Sequence, residues 1–185
     1  MKFRIEVSAR HAHISQKDFK KLFAKNDLTV RNRLLEADEF ASNETVELVG
    51  PKNTFHNVRI IGPFREESQM EISRSNSIYL GIDAPLKTSG DLPGDTIKVV
   101  GPKGSIVRDI AIVPIRHFHI NPKMAEKLKL KNHSNVKIRV NGKRGLVFDK
   151  VIVRVNEKFK NSIHLDTDEA NAAGVEHLAK GEVVK

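Results

Sequence analysis

The sequence predicts a mainly β protein built as small barrels with few helices. Three observations carry this. Short Val- and Ile-rich runs recur at residues 46–49, 58–61, 97–100, 110–113, 136–140 and 151–155, each of strand length and none long enough for a packed helix. Tight turns separate them: Gly50-Pro51-Lys52, Gly101-Pro102-Lys103 and Asn141-Gly142, the last a strong hairpin signal. Helical stretches are few and brief, which favours small barrels over a parallel sheet with crossover helices.

In chain order, residues 3–9 alternate loosely and read as a strand that delivers His11 and His13 to its end. Ser15 then has the character of an N-cap, with Asp18 in capping-box position. A helix follows through Phe19, Leu22 and Phe23 and stops near Asn26. Residues 27–44 mix acidic and basic side chains without clean periodicity and read as a partly helical connection. Two hairpins come next. At an offset of 51 (101 less 50), the stretch from Gly50-Pro51-Lys52 to Pro63-Phe64-Arg65 falls on that from Gly101-Pro102-Lys103 to Pro114-Ile115-Arg116. Asn121-Pro122 opens another helix, with Asn as cap and Pro in the first turn. Strands return at 136–140 and 151–155, around the Asn141-Gly142 turn. The Pro- and Gly-rich stretch from Asp83 to Gly94 is the candidate domain boundary.

A chain of 185 residues with 39% hydrophobic and 30% charged residues can bury a core as one domain or two small ones. With no Trp and one Tyr, that core must be aliphatic. The absence of Cys excludes disulfides, thiolate zinc sites and a Cys nucleophile, so any zinc must use His and carboxylate. Arg4 and Glu6 interrupt any apolar run at the N-terminus, and no 18-residue apolar stretch exists, so the expected location is the cytoplasm. The formal charge of +9 admits nucleic acid or a polyphosphorylated small molecule as partner. The basic residues are scattered and few aromatics are present to stack bases, so a solvated lysine-rich surface accounts for most of it.

Histidine departs from this ordinary background. Arg116-His117-Phe118-His119-Ile120 repeats Arg10-His11-Ala12-His13-Ile14. Eight His in a chain of this length predict about 0.3 His-x-His pairs by chance. In a strand, side chains i and i+2 share a face, so each pair can aim two imidazoles at one metal. The competing reading is an ordinary surface or core His pair.

A metal on two His needs a third protein ligand, and each half offers one. Glu71 stands two residues before Ser73 and ten before Gly81; His164 stands two before Asp166 and ten before Gly174. In both, the residue precedes a helix N-cap whose helix ends at Gly. The candidate sets are therefore His11, His13 and Glu71, and His117, His119 and His164. Three protein ligands without a fourth suit a catalytic zinc with an open position. Asp166 and Asp168 remain alternative ligands, and His56, His133 and His177 read as ordinary surface or loop residues. Arg65, six residues before Glu71, could hold a phosphate or carboxylate bidentately; the alternative is a surface pair with Glu66 or Glu67.

These residues carry a resemblance. Val7-Ser8-Ala9-Arg10-His11-Ala12-His13-Ile14-Ser15, Gly62-Pro63-Phe64-Arg65, Gln69-Met70-Glu71-Ile72-Ser73-Arg74, Ser89-Gly90-Asp91-Leu92-Pro93-Gly94, Arg116-His117-Phe118-His119-Ile120 and the block from Ile163 to Ala172 run in order across almost the whole chain. In them the chain resembles the PduL-type phosphotransacylases (phosphate propanoyltransferases). The resemblance implies two small β-barrels with short capping helices and the metal site between them. It implies a discontinuous barrel of residues 1–9 plus 116–185, and a second of residues 10–115 with a helical insertion at about 15–44. It further implies two zinc ions per chain, one on each candidate set, and makes Arg65 the catalytic arginine that contacts phosphate. The chain is expected to lack the N-terminal extension that directs many members to bacterial microcompartments, and Lys87 stands where Arg is more usual, so no coenzyme A contact is assigned.

The expected activity is that of a zinc-dependent phosphate acyltransferase, reversibly moving an acetyl or propanoyl group between coenzyme A and inorganic phosphate to give acyl phosphate. The expected partners are coenzyme A or acyl-CoA and inorganic phosphate or acyl phosphate, with no nucleic acid, no membrane, and a homodimer as the candidate assembly. Phosphate would attack the thioester carbonyl directly, with zinc orienting phosphate or polarising the carbonyl and Arg65 holding phosphate in line. One rival is a zinc-dependent thioester hydrolase using the same ligands. The other is a basic nucleic-acid-binding barrel without catalysis, which leaves the duplicated ligand sets unexplained.

Overall fold

The structure is a computed structural model that describes every residue except Ala37, His177 and Lys185. The chain divides into two compact units, one of residues Ala9–Pro114 and one of Met1–Ser8 with the segment from Ile115 onward.

The Ala9–Pro114 unit contains β2 (His11–His13), α1 (Gln16–Phe23), β3 (Val30–Arg33), β4 (Phe40–Val49), β5 (Thr54–Gly62), β6 (Gln69–Glu71), α2 (Arg74–Leu80), β7 (Leu86–Lys87), β8 (Asp95–Val100) and β9 (Ser105–Pro114). Six of its strands close a ring in the order β4, β5, β2, β6, β9, β8 and back to β4. β3 flanks β4, and β7 lies parallel to β9. The ring is filled by aliphatic side chains, among them Ala12, Ile14, Leu48, Ile60, Met70, Ile97 and Val99. Phe19 and Leu22 of α1 are fully buried against this core.

Helix α1 starts where Ser15 accepts the Asp18 N–H. The Asp18 carboxylate, in capping-box position, turns elsewhere: it accepts from Ser68 Oγ at 2.7 Å and pairs with Arg108 at 2.8 Å. Ser68 Oγ in turn takes the Ser15 N–H at 3.0 Å. A buried carboxylate held by a hydroxyl and a guanidinium thus ties the helix start to the barrel.

Both Gly-Pro-Lys turns have the same task. The Lys52 N–H donates to the carbonyl of Leu80, the last residue of α2, at 3.0 Å. The Lys103 N–H donates to the Leu22 carbonyl near the end of α1 at 2.9 Å. Each turn therefore supplies a donor to a carbonyl that a helix end leaves unsatisfied. A Cβ on Gly101 would stand 2.5 Å from the Leu22 oxygen, and one on Gly50 would collide with the Leu80 oxygen. Glycine is required at both by close approach.

The second unit contains β1 (Lys2–Ser8), β10 (His117–Ile120), α3 (Pro122–Leu128), β11 (Asn135–Val140), β12 (Leu146–Val155), β13 (Ser162–Asp166), α4 (Thr167–Ala173) and β14 (Lys180–Val184). Its six strands close in the order β1, β13, β10, β12, β11, β14. Around this ring the pairings run parallel, antiparallel, parallel, then antiparallel three times. The first ring shows the same succession starting from β9, so β1 does here what β9 does there. The core holds Phe3, Ile5, Phe118, Ile120, Ile138, Val151, Val153, Ile163 and Leu165.

Two expectations are corrected. Residues 27–44, read as a partly helical connection, carry β3 and the start of β4. The stretch Asp83 to Gly94, read as a boundary, lies inside one unit: it contains β7, and the Gly94 N–H bonds the Asp109 carbonyl at 2.8 Å. Chain passage between units falls instead at Ser8–Ala9 and Pro114–Ile115. Among the described residues no helix is long and apolar enough to cross a membrane.

Candidate metal centres

Strand alternation builds the first centre. In β2, Ala12 enters the core beside Met70 of β6, and both are fully buried. His11 and His13 therefore face the other way, as do Gln69 and Glu71. The antiparallel register sets His11 opposite Glu71 and His13 opposite Gln69. The two imidazole Nε2 atoms stand 3.1 Å apart, and each lies 3.6 Å from an oxygen of Glu71.

The second centre repeats the plan on β10 and β13. Phe118 and Ile163 enter the core, while His117 stands opposite His164 and His119 opposite Ser162. The rings of His117 and His164 are stacked with centroids 4.8 Å apart, and the His119 ring is 4.4 Å from that of His164. Phe159 stacks on His119 at 3.7 Å, and Ser162 Oγ bonds His164 Nε2 at 2.8 Å. Glu71 and His164 thus occupy the same register position in their barrels.

The residues fit a divalent metal. All candidate ligand atoms within each set lie within 4.8 Å of one another. Two ligand nitrogens on one tetrahedral zinc would be separated by about 3.3 Å, close to the spacings in the first set. The first His of each pair shares a second feature. His11 Nδ1 bonds the Ala9 carbonyl at 2.8 Å and His117 Nδ1 bonds the Ile115 carbonyl at 2.9 Å. A carbonyl only accepts, so each Nδ1 donates its proton there, which leaves Nε2 as the ring atom that can turn to a metal. Burial, reinforced by His11 and Arg65, holds His13 well below the ordinary histidine value. Burial does the same for His117, with His164 and His119 adding to it. Both are neutral imidazoles, the form that ligates metal.

Asp166 caps α4, accepting the Glu169 N–H at 2.9 Å, while Glu169 accepts the Asp166 N–H at 3.2 Å. Burial raises the pKa of both carboxyls. Neither Asp166 nor Asp168 belongs to a ligand group. The arginines that begin the two His motifs stack on equivalent aromatics: Arg10 lies 4.3 Å over Phe55 of β5, and Arg116 lies 5.6 Å over Phe148 of β12. Arg116 also donates to Glu169 at 2.6 Å. Exposed His56 pairs with Glu47 at 2.7 Å, and the His133 N–H bonds the Val153 carbonyl; neither joins a ligand group. His177 lies outside the described residues.

Arg65 leaves Glu66 and Glu67 aside. Its Nη1 donates to Ser89 Oγ at 3.0 Å, and its Nη2 stands 3.8 Å from Glu39. Ser89 Oγ donates to Glu71 at 2.5 Å. Gln69, opposite His13, accepts the Gly90 N–H at 3.0 Å. Ser89 and Gln69 escaped the ligand spacing argument. Ser89 is 18 positions from Glu71 and reaches it only because β7 runs beside β9.

Comparison with known proteins shows the family of the chain. A sequence model of the phosphate propanoyltransferase family matches residues 4–176. The chain is 44% identical over 173 residues to a phosphate propanoyltransferase of Thermotoga maritima, covering 91% of this chain and 82% of that one. It is 42% identical over 174 residues to one from Limosilactobacillus reuteri, covering 92% and 81%. For one from Clostridioides difficile the figures are 41% over 184 residues, covering 98% and 87%. With the family model spanning nearly the whole chain and both His-x-His strands inside the match, this chain belongs to the phosphate propanoyltransferase family, a family of phosphate acyltransferases.

Proposed function

We propose that the chain transfers a short acyl group, acetyl or propanoyl, reversibly between coenzyme A and inorganic phosphate, with two zinc ions as its metals. The observation that carries this is the pair of three-ligand sets, one of them joined through Ser89 to Arg65. His11, His13 and Glu71 would hold one ion, and His117, His119 and His164 the other. Bound zinc supplies Lewis acidity toward a phosphate or carbonyl oxygen.

The chain's own residues account for the rest. Neutral His13 and His117 keep the sets ready to bind a cation near neutral pH. Arg65, about a third exposed at its side chain, offers a guanidinium that can take phosphate in place of its long contact to Glu39. In the transfer, a phosphate oxygen forms a bond to the thioester carbonyl carbon and the carbon–sulfur bond breaks. The sulfur leaves as the coenzyme thiol, with the proton that hydrogen phosphate gives up as its oxygen bonds the carbonyl carbon. With no Cys in the chain, direct attack by phosphate is the simplest route.

The test is thiol release from acetyl-CoA and propanoyl-CoA, with and without phosphate, before and after chelation. Phosphate-dependent release that chelation abolishes and zinc restores is the expected result. Release without phosphate would make the protein a hydrolase.

A further inference from the structure

The Ser89–Gly94 block is one of those that carry the family resemblance, and the function above uses Ser89 only as a link between Glu71 and Arg65. Its first residue makes two contacts that matter. A serine hydroxyl has one proton to donate and lone pairs to accept with. In Ser89 the proton goes to Glu71 Oε1 at 2.5 Å, in the short range of a hydrogen bond to an ionised oxygen. The lone pair takes Arg65 Nη1 at 3.0 Å. One hydroxyl is thus bonded to a carboxylate of the first candidate metal set and to the candidate phosphate arginine.

Ser89 is itself held. The Gly90 N–H bonds Gln69, which is paired in register with His13. The Asp91 N–H closes a turn on the Thr88 carbonyl at 2.9 Å, and Leu86 just upstream pairs with Val113. Arg65 otherwise has a 3.8 Å contact with a partly exposed Glu39, too loose and too wet to fix a guanidinium.

We propose that Ser89 is a positioning residue that sets the Glu71 carboxylate and the Arg65 guanidinium in one arrangement, so that the metal set and the phosphate contact assemble together. The proposal rests on the reading that Glu71 holds metal and Arg65 holds phosphate. It gives the block a reason: a turn on a short strand brings a hydroxyl between two groups that the sheet alone leaves unlinked.

The experiment compares wild type with Ser89→Ala and Ser89→Thr. Zinc affinity is read on metal-free protein by competition with a chromophoric chelator, and KM for phosphate and for propanoyl-CoA is read on loaded protein. In Ser89→Ala one of the two zinc dissociation constants should rise about 10- to 100-fold while the other stays as in wild type. KM for phosphate should rise about tenfold while KM for propanoyl-CoA stays within about twofold. Ser89→Thr, which keeps the hydroxyl, should restore both. Adding Ser89→Ala to Arg65→Ala should raise phosphate KM no further, because the two act as one unit. Wild-type zinc affinity and phosphate KM in Ser89→Ala overturn the proposal alone, as does failure of Ser89→Thr to restore them. A phosphate-independent burst of thiol release that Ser89→Ala loses would make Ser89 a nucleophile and also overturn it. A wild type that binds no zinc overturns the functional reading and this proposal together.

Discussion

At the scale of single residues, the two centres differ in one position that decides their charge. Glu71 and His164 hold the same place opposite the first His of each pair, so a dication would keep one unit more positive charge in the His117 set. Replacing Glu71 with Ala should therefore empty only its own set. We expect wild type to hold two zinc ions and Glu71→Ala one, by elemental analysis, with kcat lowered at least about 100-fold. The protonation states give a second prediction. His13 and His117 have folded-state pKa values well below the ordinary one, so the unfolded chain binds protons that the folded chain does not. Their contribution to stability is present above about pH 6.5 and is lost as pH falls below that value toward the folded pKa values. Denaturant midpoints of metal-free protein should decline on acidification from about pH 7 to 5, and less steeply in His13→Gln. The two candidate groupings, which the structure brings together, were legible from spacing because alternation along a strand and capping after it are local rules. Ser89 was not, since its partner lies across a fold that only long-range pairing creates.

At the scale of elements, the repeated Gly-Pro-Lys turns were visible as hairpins, and the structure adds what they press against. Each hairpin closes on a helix end, giving it an N–H and leaving no room for a side chain. Gly101→Ala should therefore destabilise by about 1–3 kcal/mol, as overpacking against backbone does, whereas Gly142→Ala has open space and suffers only from its positive φ of 147°. Urea unfolding of the two variants separates these causes: equal losses would mean that contact with α1 is unimportant. Strand β3 shows where pattern reading fails. All four of its residues are exposed, so no alternation of apolar and polar side chains marks it. β11 is the opposite case, with every second residue buried, and its run of Val and Ile stood out accordingly. Asp83 to Gly94 misled for a similar reason. Pro and Gly mark turns, and turns at a short strand resemble a linker until the strand finds its neighbour.

At the scale of the whole molecule, two repeats are superposed. The Gly-Pro-Lys repeat is a repeat of hairpins inside one barrel, β4–β5 and β8–β9. The His repeat is a repeat of barrels, each with its His-x-His strand parallel to one long strand and antiparallel to a short one. In both, the strand that closes the ring beside the short one immediately precedes a His-x-His strand belonging to the other unit: β9 precedes β10, and β1 precedes β2. For β1 this means that the first strand of the chain completes a barrel whose other strands begin more than a hundred residues later. Its grip is apolar, through Phe3 and Ile5, 6% and 5% exposed in the second core. Ile5→Ala should cost about 2–5 kcal/mol, and the loss should appear in one unit. Hydrogen exchange should show lower protection in β10–β14, with β4, β5, β8 and β9 unchanged. Ile60→Ala, in the other core, should show the reverse. If either variant lowered protection uniformly through both barrels, the two cores would unfold as one cooperative unit, and the duplication would mark shared ancestry of form without separable stability.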